Sequence, residues 1–315
     1  MTRRPWRAAM ADALYGPGGF YARGEAPAAH FRTSVHASPL FARALAELAH
    51  RAELGTVVDL GAGRGELLGR LHTLCPELAL HGVEVLPRPD RLPAAIGWST
   101  ELPETTSALL VANEWLDNVP LDVVIRVDGR PRLVLVDQWG AEYPGPTPEP
   151  ADLAWLDRWW PDTERAEVGR SRDEAWAGVL RRTRRGLAVA IDYAHRSGSR
   201  PTGGTLVGYQ HGRQVPPVPD RSCDLTAHVA VDSCAAAGRA AGAAATALLT
   251  QRDALRQLGV GGQPRPDPDR AATDPRGYLR ELARTGQTAE LTDPAGLGGF
   301  TWLIQSVGVP IPLDG

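Results

Sequence analysis

The clearest chemical signal in the sequence is a glycine-rich loop at residues 57–66, which read VVDLGAGRGE. An apolar run precedes three alternating glycines and a helical pattern follows them. This order is typical of a nucleotide-binding turn, in which backbone N–H groups approach a ligand at a helix N-terminus. A dinucleotide loop requires GxGxxG, but Glu66 stands at the last glycine and its carboxylate would repel a pyrophosphate. The residues expected to contact the ligand are Asp59, Gly61, Ala62, Gly63 and Gly65.

A second candidate for the same site is Glu84, at the end of the next apolar run. It lies 23 residues after Gly61, near the offset of about 20 residues at which an acidic side chain binds a ribose diol. The alternative is a generic α/β protein with a glycine turn and an unrelated glutamate. Because the loop, Asp59 and Glu84 occur together, we favour a nucleoside site.

An acidic segment, residues 113–120 (NEWLDNVP), follows the third apolar run. Such a segment is expected at the carboxyl ends of parallel strands, where doubly wound folds bind ligands. Glu114 and Asp117 would share one face of a helical turn, and Trp115 would stack on a base or face a cation. Alternatively, Asn113 caps a helix and both acids are solvated residues of its first turn. The position after a strand favours the functional interpretation.

Continuous apolar runs separated by helical patterns predict a parallel sheet covered by helices on both faces. A final strand is expected near the end of the chain. The predicted strands are 56–60, 78–85, 107–112, 187–192 and 301–307, and two of the covering helices are 67–74 and 175–185.

The remaining segments predict additions to this core. Helices at 7–14 and 38–51 form an N-terminal helical cap over residues 1–52. Apolar runs on both sides of Asp128-Gly129 predict a hairpin, and a Trp-rich helix follows it. The core therefore spans 53–315, with insertions at about 121–175 and 211–295 and an alanine-rich helix at 235–249.

Composition narrows the classes of function. The 315 residues are 43% hydrophobic with a net charge of −3, so no overall basic field exists to attract nucleic acid or an anionic membrane. The three cysteines form no CxxC, which suits a reducing cytoplasm. No run reaches the roughly 20 apolar residues of a membrane span, and no His, Cys and Asp residues have metal-ligand spacing. We expect a cytoplasmic protein without a metal, a membrane span or a nucleic-acid partner.

The order of motifs resembles that of the MidA-like family of S-adenosylmethionine-dependent methyltransferases. Mitochondrial members of that family are arginine methyltransferases that assist the assembly of respiratory complex I. The resemblance runs from about residue 15 to residue 305. The blocks that carry it are Thr33-Ser34, residues 59–65 (DLGAGRG), 113–120 (NEWLDNVP), Asp192-Tyr193, 204–206 (GTL), 224–229 (DLTAHV) and Asp293-Pro294 with Gly298.

The resemblance implies an α/β, Rossmann-like class I methyltransferase fold with S-adenosylmethionine as its cofactor. Methyl transfer requires positioning of the acceptor, which can contribute roughly 7–11 kcal/mol. A guanidinium acceptor also requires carboxylates that orient it and accept a proton. The implied cofactor residues are the five of the glycine loop together with Glu84, Trp98, Asn113 and Glu114. The candidate catalytic residues are Glu114, Asp117, Asp192 and His228, and the candidate substrate contacts are Thr33, Ser34 and Tyr193.

Several loops depart from the family pattern. Residues 29–32 read AHFR where the family usually has Gly-Asp-Phe, Val35-His36 replaces Pro-Glu, and Ala194 replaces a glycine. These departures leave methyl transfer intact as an expectation but leave the acceptor open between a protein arginine and a small-molecule O- or N-nucleophile. A non-catalytic assembly factor that retains the cofactor site is a third possibility, against which the intact glycine loop and Glu114 argue. The sequence does not indicate the oligomeric state.

Overall fold

Ten helices lie in the part of the chain that the computed structural model describes, which is residues 2–23, 33–103, 106–161, 163–261 and 267–314. None of these helices is both long enough and apolar enough to cross a lipid bilayer. In chain order they are α1 (Trp6–Tyr15), α2 (Ser34–Ala37), α3 (Pro39–Arg51), α4 (Glu66–Leu74), α5 (Pro150–Trp159), α6 (Arg170–Arg182), α7 (Val231–Ala240), α8 (Gln251–Gln257), α9 (Arg270–Thr273) and α10 (Pro275–Thr292).

The strands of the same described ranges form four sheets. They are β1 (Arg4–Pro5), β2 (Thr56–Leu60), β3 (Ala79–Val83), β4 (Gly97–Ser99), β5 (Thr106–Asn113), β6 (Asp122–Val127), β7 (Arg130–Val136), β8 (Glu142–Pro144), β9 (Arg165–Val168), β10 (Thr183–Asp192), β11 (Ala194–His195), β12 (Val207–Gln210), β13 (Arg213–Val215), β14 (Asp224–Thr226), β15 (Val229–Ala230), β16 (Ala245–Thr250) and β17 (Thr301–Val307).

The central sheet has seven strands in the spatial order β16-β17-β10-β5-β2-β3-β4. Strands β2, β3, β4, β5 and β10 run parallel to their neighbours within this set, whereas β17 runs antiparallel to both β10 and β16. The middle strand β5 is apolar without alternation, and its residues 108–112 are fully buried. A strand buried on both faces has this composition, and the predicted mostly parallel α/β sheet is confirmed.

Two apolar clusters cover the two faces of this sheet. On one face, Leu109 and Val111 pack with side chains of α3, α4 and α8. On the other face, Ala108 and Leu110 pack with α6 and α7. Successive residues of β5 thus point to opposite faces, as strand geometry requires, and each face presents its residues to a separate layer of helices.

A second, antiparallel sheet consists of β1, β7, β6 and β9 in that order, with β8 beside β7. The turn between β6 and β7 holds Asp128 and Gly129 at φ of 51° and 72°, the left-handed conformations that a two-residue hairpin requires. The predicted hairpin is therefore confirmed. The apolar face of α1, which includes Trp6 and Met10, packs against this sheet and against β14.

The segment predicted as a cap over residues 1–52 divides between two clusters. Helix α1 packs on the second sheet, whereas α3 packs on the central sheet. Similarly, the predicted insertion at 211–295 contains β16, an edge strand of the central sheet. The predicted domain boundaries stay predictions.

Two predicted helices are wrong in part. The alanine-rich helix at 235–249 is instead the end of α7 followed by β16, with Gly242 at φ 113° between them. Pairing with β17 provides β16 with backbone partners, so tertiary context overrides the helix propensity of alanine. The helix predicted to reach residue 185 ends at Arg182, because β10 begins at Thr183 and pairs there with β5.

Candidate functional site

A cavity of about 650 Å³ opens at the carboxyl ends of β2, β3 and β5. This is the edge at which parallel α/β sheets bind ligands. One end of the cavity, here called the loop end, is formed by the glycine loop and by the residues that follow β3 and β4. The other, called the ledge end, is formed by the residues after β5 and by the N-terminal segments. The lining residues used below are Tyr15, Tyr21, Thr33, His36, Asp59, Gly61, Ala62, Gly63, Glu66, Glu84, Asn113, Glu114, Trp115 and Asn118.

The glycines of the loop end serve distinct steric purposes. Gly61 has a φ of 70°, and a Cβ there would lie 2.8 Å from the Cδ1 atom of Trp115. Gly65 has a φ of 76° and directly precedes α4. Both positions therefore require glycine, and together they turn the chain from β2 into α4 while leaving the backbone open to the cavity.

Glu84 fixes the glycine loop from the neighbouring strand. Its Oε2 atom accepts a hydrogen bond of 2.9 Å from the backbone N–H of Gly63, and its Oε1 atom accepts one of 3.2 Å from Leu86. The carboxylate lines the cavity beside Asp59, as expected from its spacing in the sequence. A carboxylate held in this way can accept hydrogen bonds from hydroxyl groups of a ligand.

The loop end is strongly acidic. Burial raises the pKa of Asp59 well above its ordinary value, and the nearby carboxylates of Glu66 and Glu84 raise it further. Burial alone would also raise the pKa of Glu66, but hydrogen bonds from His36 and from backbone N–H groups lower it below its ordinary value. Since neighbouring carboxylates repel one another, this end of the cavity favours a ligand that carries positive charge.

Trp98 lies beneath the glycine loop rather than in the cavity lining. Its ring packs where a Cβ on Gly82 would stand and lies near Gly65, and its Nε1 atom donates to the carbonyl of Leu86 at 3.1 Å. The structure thus places this predicted cofactor residue as a support of the loop.

Glu114 is the principal side chain of the ledge end. Its backbone has a φ of 51°, and its N–H donates to the carbonyl of Ile191 at 2.8 Å. Its Oε1 atom accepts a hydrogen bond of 3.0 Å from Asn113, and the backbone of Ser34 also donates to the carboxyl group. Burial, followed by the charge of Asp117, raises the pKa of Glu114 to about 8.

The predicted helical face shared by Glu114 and Asp117 is wrong. Glu114 precedes a short 3-10 turn over Leu116–Asn118, and its left-handed backbone directs it away from that turn. The alternative of two solvated acids is also wrong, because Asp117 is only 5% exposed, and Glu114, although partly exposed, lines the cavity and binds Asn113. The segment is a buried ledge whose first acid reaches the cavity.

Asp117 and Asp192 lie behind Glu114 and do not line the cavity. The Oδ2 atom of Asp192 accepts hydrogen bonds from the backbone N–H groups of Leu116 and Asp117, at 3.0 and 3.3 Å. The Oδ2 atom of Asp117 accepts one of 2.6 Å from Thr226. Both side chains therefore hold the ledge in place, and burial raises the pKa of both.

A buried arginine, Arg172 of α6, compensates this acidic cluster. It is 1% exposed and donates to four backbone carbonyls, those of Asp117, Val119, Ala227 and His228. Its positive charge lies close enough to Asp117 and Asp192 to favour their ionised forms. Arg172 thus joins the ledge to the segment between β14 and β15.

A further carboxyl group, Asp224 of β14, stands below the ledge end. Its Oδ1 atom accepts hydrogen bonds of 3.0 Å from both Tyr21 and Asn118. Burial, followed by the charge of Asp117, raises the pKa of Asp224 to about 8. Tyr21 stacks on Tyr15, with ring centroids 5.6 Å apart, and Tyr15 donates to the carbonyl of Asn118.

The remaining predicted residues lie in two places. Thr33 lines the cavity and caps α2, whereas the buried hydroxyl of Ser34 donates to Gln251 at 3.1 Å. Tyr193 and His228 stack on each other with centroids 5.6 Å apart, and neither lines the cavity. Residues 29–32, which depart from the family pattern, lie outside the described residues.

Sequence reasoning missed several residues of the site. Tyr15 and Tyr21 belong to no recognised motif, and Asn118 lies in the 113–120 block without a predicted role. Arg172 lies in a helix of polar sequence that resembles a solvated surface helix. No local pattern identifies these residues, because their partners are remote in sequence.

The chain matches the family model described as "Putative S-adenosyl-L-methionine-dependent methyltransferase" over residues 40–249. It is 25% identical to a COG1565 superfamily member from Burkholderia thailandensis whose crystal structure contains S-adenosyl-homocysteine; the match covers 99% of this chain and 89% of that one, with a TM-score of 0.79. A COG1565 superfamily protein from the same organism, solved in its native form, is also 25% identical. That match covers 99% of this chain and 88% of the other, with a TM-score of 0.81. A search of curated proteins finds no match.

The chain belongs to this family of methyltransferases, because the family model spans more than half of its residues. It is an S-adenosylmethionine-dependent methyltransferase with a Rossmann-like fold, and the resemblance to MidA-like proteins is confirmed. The acidic loop end fits this cofactor, which carries an ammonium and a sulfonium group and no phosphate.

Proposed function

We propose that this methyltransferase modifies the guanidinium group of an arginine in a protein substrate. The observation that carries the proposal is Glu114, a cavity-lining carboxyl group enclosed among other acids with a pKa of about 8. Among the described residues, no arginine or histidine forms a salt bridge with it. A cationic acceptor would pair with the carboxylate of Glu114.

We assign the cofactor to one end of the cavity and the methyl acceptor to the other. The loop end would hold the cofactor, with Asp59 and the glycine backbone near its charged groups and Glu84 on its ribose. The bound cofactor supplies an electrophilic methyl group on a sulfonium sulfur. The ledge end would hold the acceptor, with Thr33 and Tyr15 at its border.

Glu114 would act on the acceptor in two ways. A guanidinium has a pKa above about 12 and arrives protonated, so its charge would favour the ionised form of Glu114. The carboxylate would then orient the guanidinium through hydrogen bonds and take its proton as the nitrogen gains a methyl group. A carboxyl group whose free pKa lies near the working pH is well suited to that transfer.

Asp117 and Asp192 support this role from behind. Asp192 accepts hydrogen bonds from the backbone of the turn, Asp117 accepts one from Thr226, and the charge of Asp117 acts on Glu114. We therefore propose that they position Glu114. His228 is exposed and stacks on Tyr193, so a proton relay through it would require an additional group between it and the cavity.

The test uses the purified full chain with isotopically labelled S-adenosylmethionine and two acceptor pools from the same lysate, proteins and small molecules. We expect label in the protein pool, and methylarginine after complete hydrolysis and mass spectrometry. Glu114→Gln is the matched control, since it keeps the shape of the side chain without its charge.

Each other outcome overturns part of the proposal. Label confined to small molecules would assign the acceptor to the alternative class of O- or N-nucleophiles. Label on a protein residue other than arginine would overturn the guanidinium. Cofactor binding without transfer to either pool would support the assembly-factor alternative.

A further inference from the structure

Three potential metal ligands meet on a surface remote from the cavity. They are His50 of α3, Cys75 directly after α4, and Glu77 in the turn before β3, here called the HCE cluster. Their ligand atoms all lie within 4.8 Å of one another. The sequence did not reveal this cluster, because His50 is 25 residues from Cys75.

The spacing of these atoms is close to that of a tetrahedral zinc site. Zinc–nitrogen and zinc–oxygen bonds of about 2.0–2.1 Å place two such ligands roughly 3.3 Å apart, and a thiolate roughly 3.6 Å from either. The Nε2 atom of His50 lies 3.1 Å from the Oε1 atom of Glu77. Small side-chain rotations would bring the Cys75 sulfur into range, since both partners are about half exposed.

The three ligand types favour zinc over magnesium and calcium. A thiolate, an imidazole and a carboxylate suit zinc, whereas magnesium and calcium prefer oxygen ligands only. The carbonyl ends of α3 and α4 also lie here, and helix C-termini favour cations. Arg43 of α3 is the opposing charge, because it lies near Cys75 and would repel a bound cation.

We propose that the HCE cluster binds one zinc ion through His50, Cys75 and Glu77, with a water molecule as fourth ligand. Binding would replace the thiol proton of Cys75 by a sulfur–zinc bond and release that proton to solvent. The proposal is independent of the methyl acceptor.

The position of the HCE cluster gives the ion a structural role. The three ligands lie at the C-terminal ends of α3 and α4 and just before β3. Glu66 and Glu84 of the loop end lie at the opposite ends of α4 and β3. Helix α4 has nine residues, so its two ends lie about 14 Å apart. The ion would tie together three elements that build the cofactor site without touching the reaction.

The experiment uses the full chain without a histidine tag, treated with a chelator and kept reduced by a phosphine. Zinc chloride is titrated calorimetrically, and cobalt(II) serves as a spectroscopic probe of thiolate ligation. We expect one equivalent bound, a sulfur-to-cobalt charge-transfer band, and a Tm that rises with zinc concentration.

Variants identify the ligands. Cys75→Ala, His50→Ala and Glu77→Gln should each weaken binding by more than the roughly 10–100-fold typical of losing an outer-sphere partner. His72→Ala, on the same helix α4 but outside the cluster, should bind zinc as the wild type does. These side chains are at the surface, and the Tm of each metal-free variant verifies folding.

Two results would overturn the proposal. One is the absence of zinc binding to the reduced wild type, in which case His50 and Glu77 form only a surface ion pair. The other is binding that survives Cys75→Ala unchanged or lacks the charge-transfer band.

Discussion

The two ends of the cavity are built in different ways. The loop end comes from one continuous segment, residues 59–66, and from Glu84 on the adjacent strand. The ledge end is assembled from residues that are remote in sequence, since Asp192 and Asp224 hold the turn after β5, and Arg172 binds the same turn from α6. On the proposed assignment, the cofactor site is encoded largely by one local segment, whereas the acceptor site depends on contacts between segments remote in sequence.

The difference between the ends is tested most strongly at Glu114. Glu114→Gln should lower turnover about 10²–10⁴-fold, the range expected for loss of a general base, while the cofactor Kd changes little. Steady-state kinetics and calorimetry measure the two quantities. A variant with full turnover would remove Glu114 from the proton transfer, and one that no longer binds the cofactor would show that the two ends are not separable.

Arg172→Met should lower the stability of the folded protein, because Arg172 holds the ledge. It leaves Asp117 and Asp192 without their compensating charge and removes donors from four buried carbonyls, so the free energy of unfolding should fall by roughly 3–5 kcal/mol. Urea denaturation measures the loss. Arg181→Met, at the exposed end of the same helix, should stay within about 0.5 kcal/mol of the wild type. Equal losses of stability in both variants would show that Arg172 does not stabilise the ledge specifically.

Glu84→Ala should show the reverse pattern to Glu114→Gln. The free energy of cofactor binding should become less favourable by roughly 1–3 kcal/mol, because Gly63 and any ribose hydroxyl lose their acceptor. The fold should survive, since the side chain lies at a strand end. NAD provides the specificity control in the same calorimeter and should not bind comparably. Unchanged affinity for S-adenosylmethionine would place the ribose elsewhere.

The smallest expected effect concerns pH. The pKa of Asp224 is raised by burial to about 8 in the folded protein, against an ordinary value of 3.8. The folded state thus binds the proton more tightly than the unfolded state, and stability declines as the pH rises from about 4 through 8. Asp224→Asn should remove this decline and be roughly 1–2 kcal/mol more stable than the wild type at pH 9, after allowing for water admitted to the ionised site.

Urea denaturation at pH 6 and pH 9 measures the Asp224 effect. Asp157→Asn, on the exposed side of α5, is the control and should follow the wild type at both values. A wild-type difference between the two pH values that persists unchanged in Asp224→Asn would assign the dependence to another group, of which Glu114 is the first candidate.

The sequence predicted more of the loop end than of the ledge end, for physical reasons. Strands β2 and β17 have the predicted bounds because their apolar runs end at glycines or polar residues. Glu84 lines the cavity where its spacing places it. By contrast, the left-handed backbone of Glu114 depends on pairing with Ile191 of β10, and local propensity does not contain that contact.

The same limit explains the wrong helix at 235–249. Alanine favours helices locally, but residues 245–250 have a strand partner in β17 more than fifty positions later. Likewise, Arg172 has the sequence environment of a surface residue, and only its four remote carbonyls show why it is buried. Sequence periodicity reports on residues that are close along the chain, whereas the conformation of these residues depends on contacts with residues remote in sequence.

The packing of α1 has a consequence for the order in which the nascent chain matures. Its apolar face rests on β6, β7 and β14, so α1 has its full set of partners only after β14, which ends at Thr226, has been synthesised. Until then this apolar face, which includes Trp6 and Met10, is incompletely covered, and exposed apolar surface is prone to aggregation and a target for chaperones. Tyr15 and Tyr21 reach the cavity at the same late stage, whereas β2 and α4 adjoin each other early. The loop end of the cavity can therefore form before the ledge end is complete.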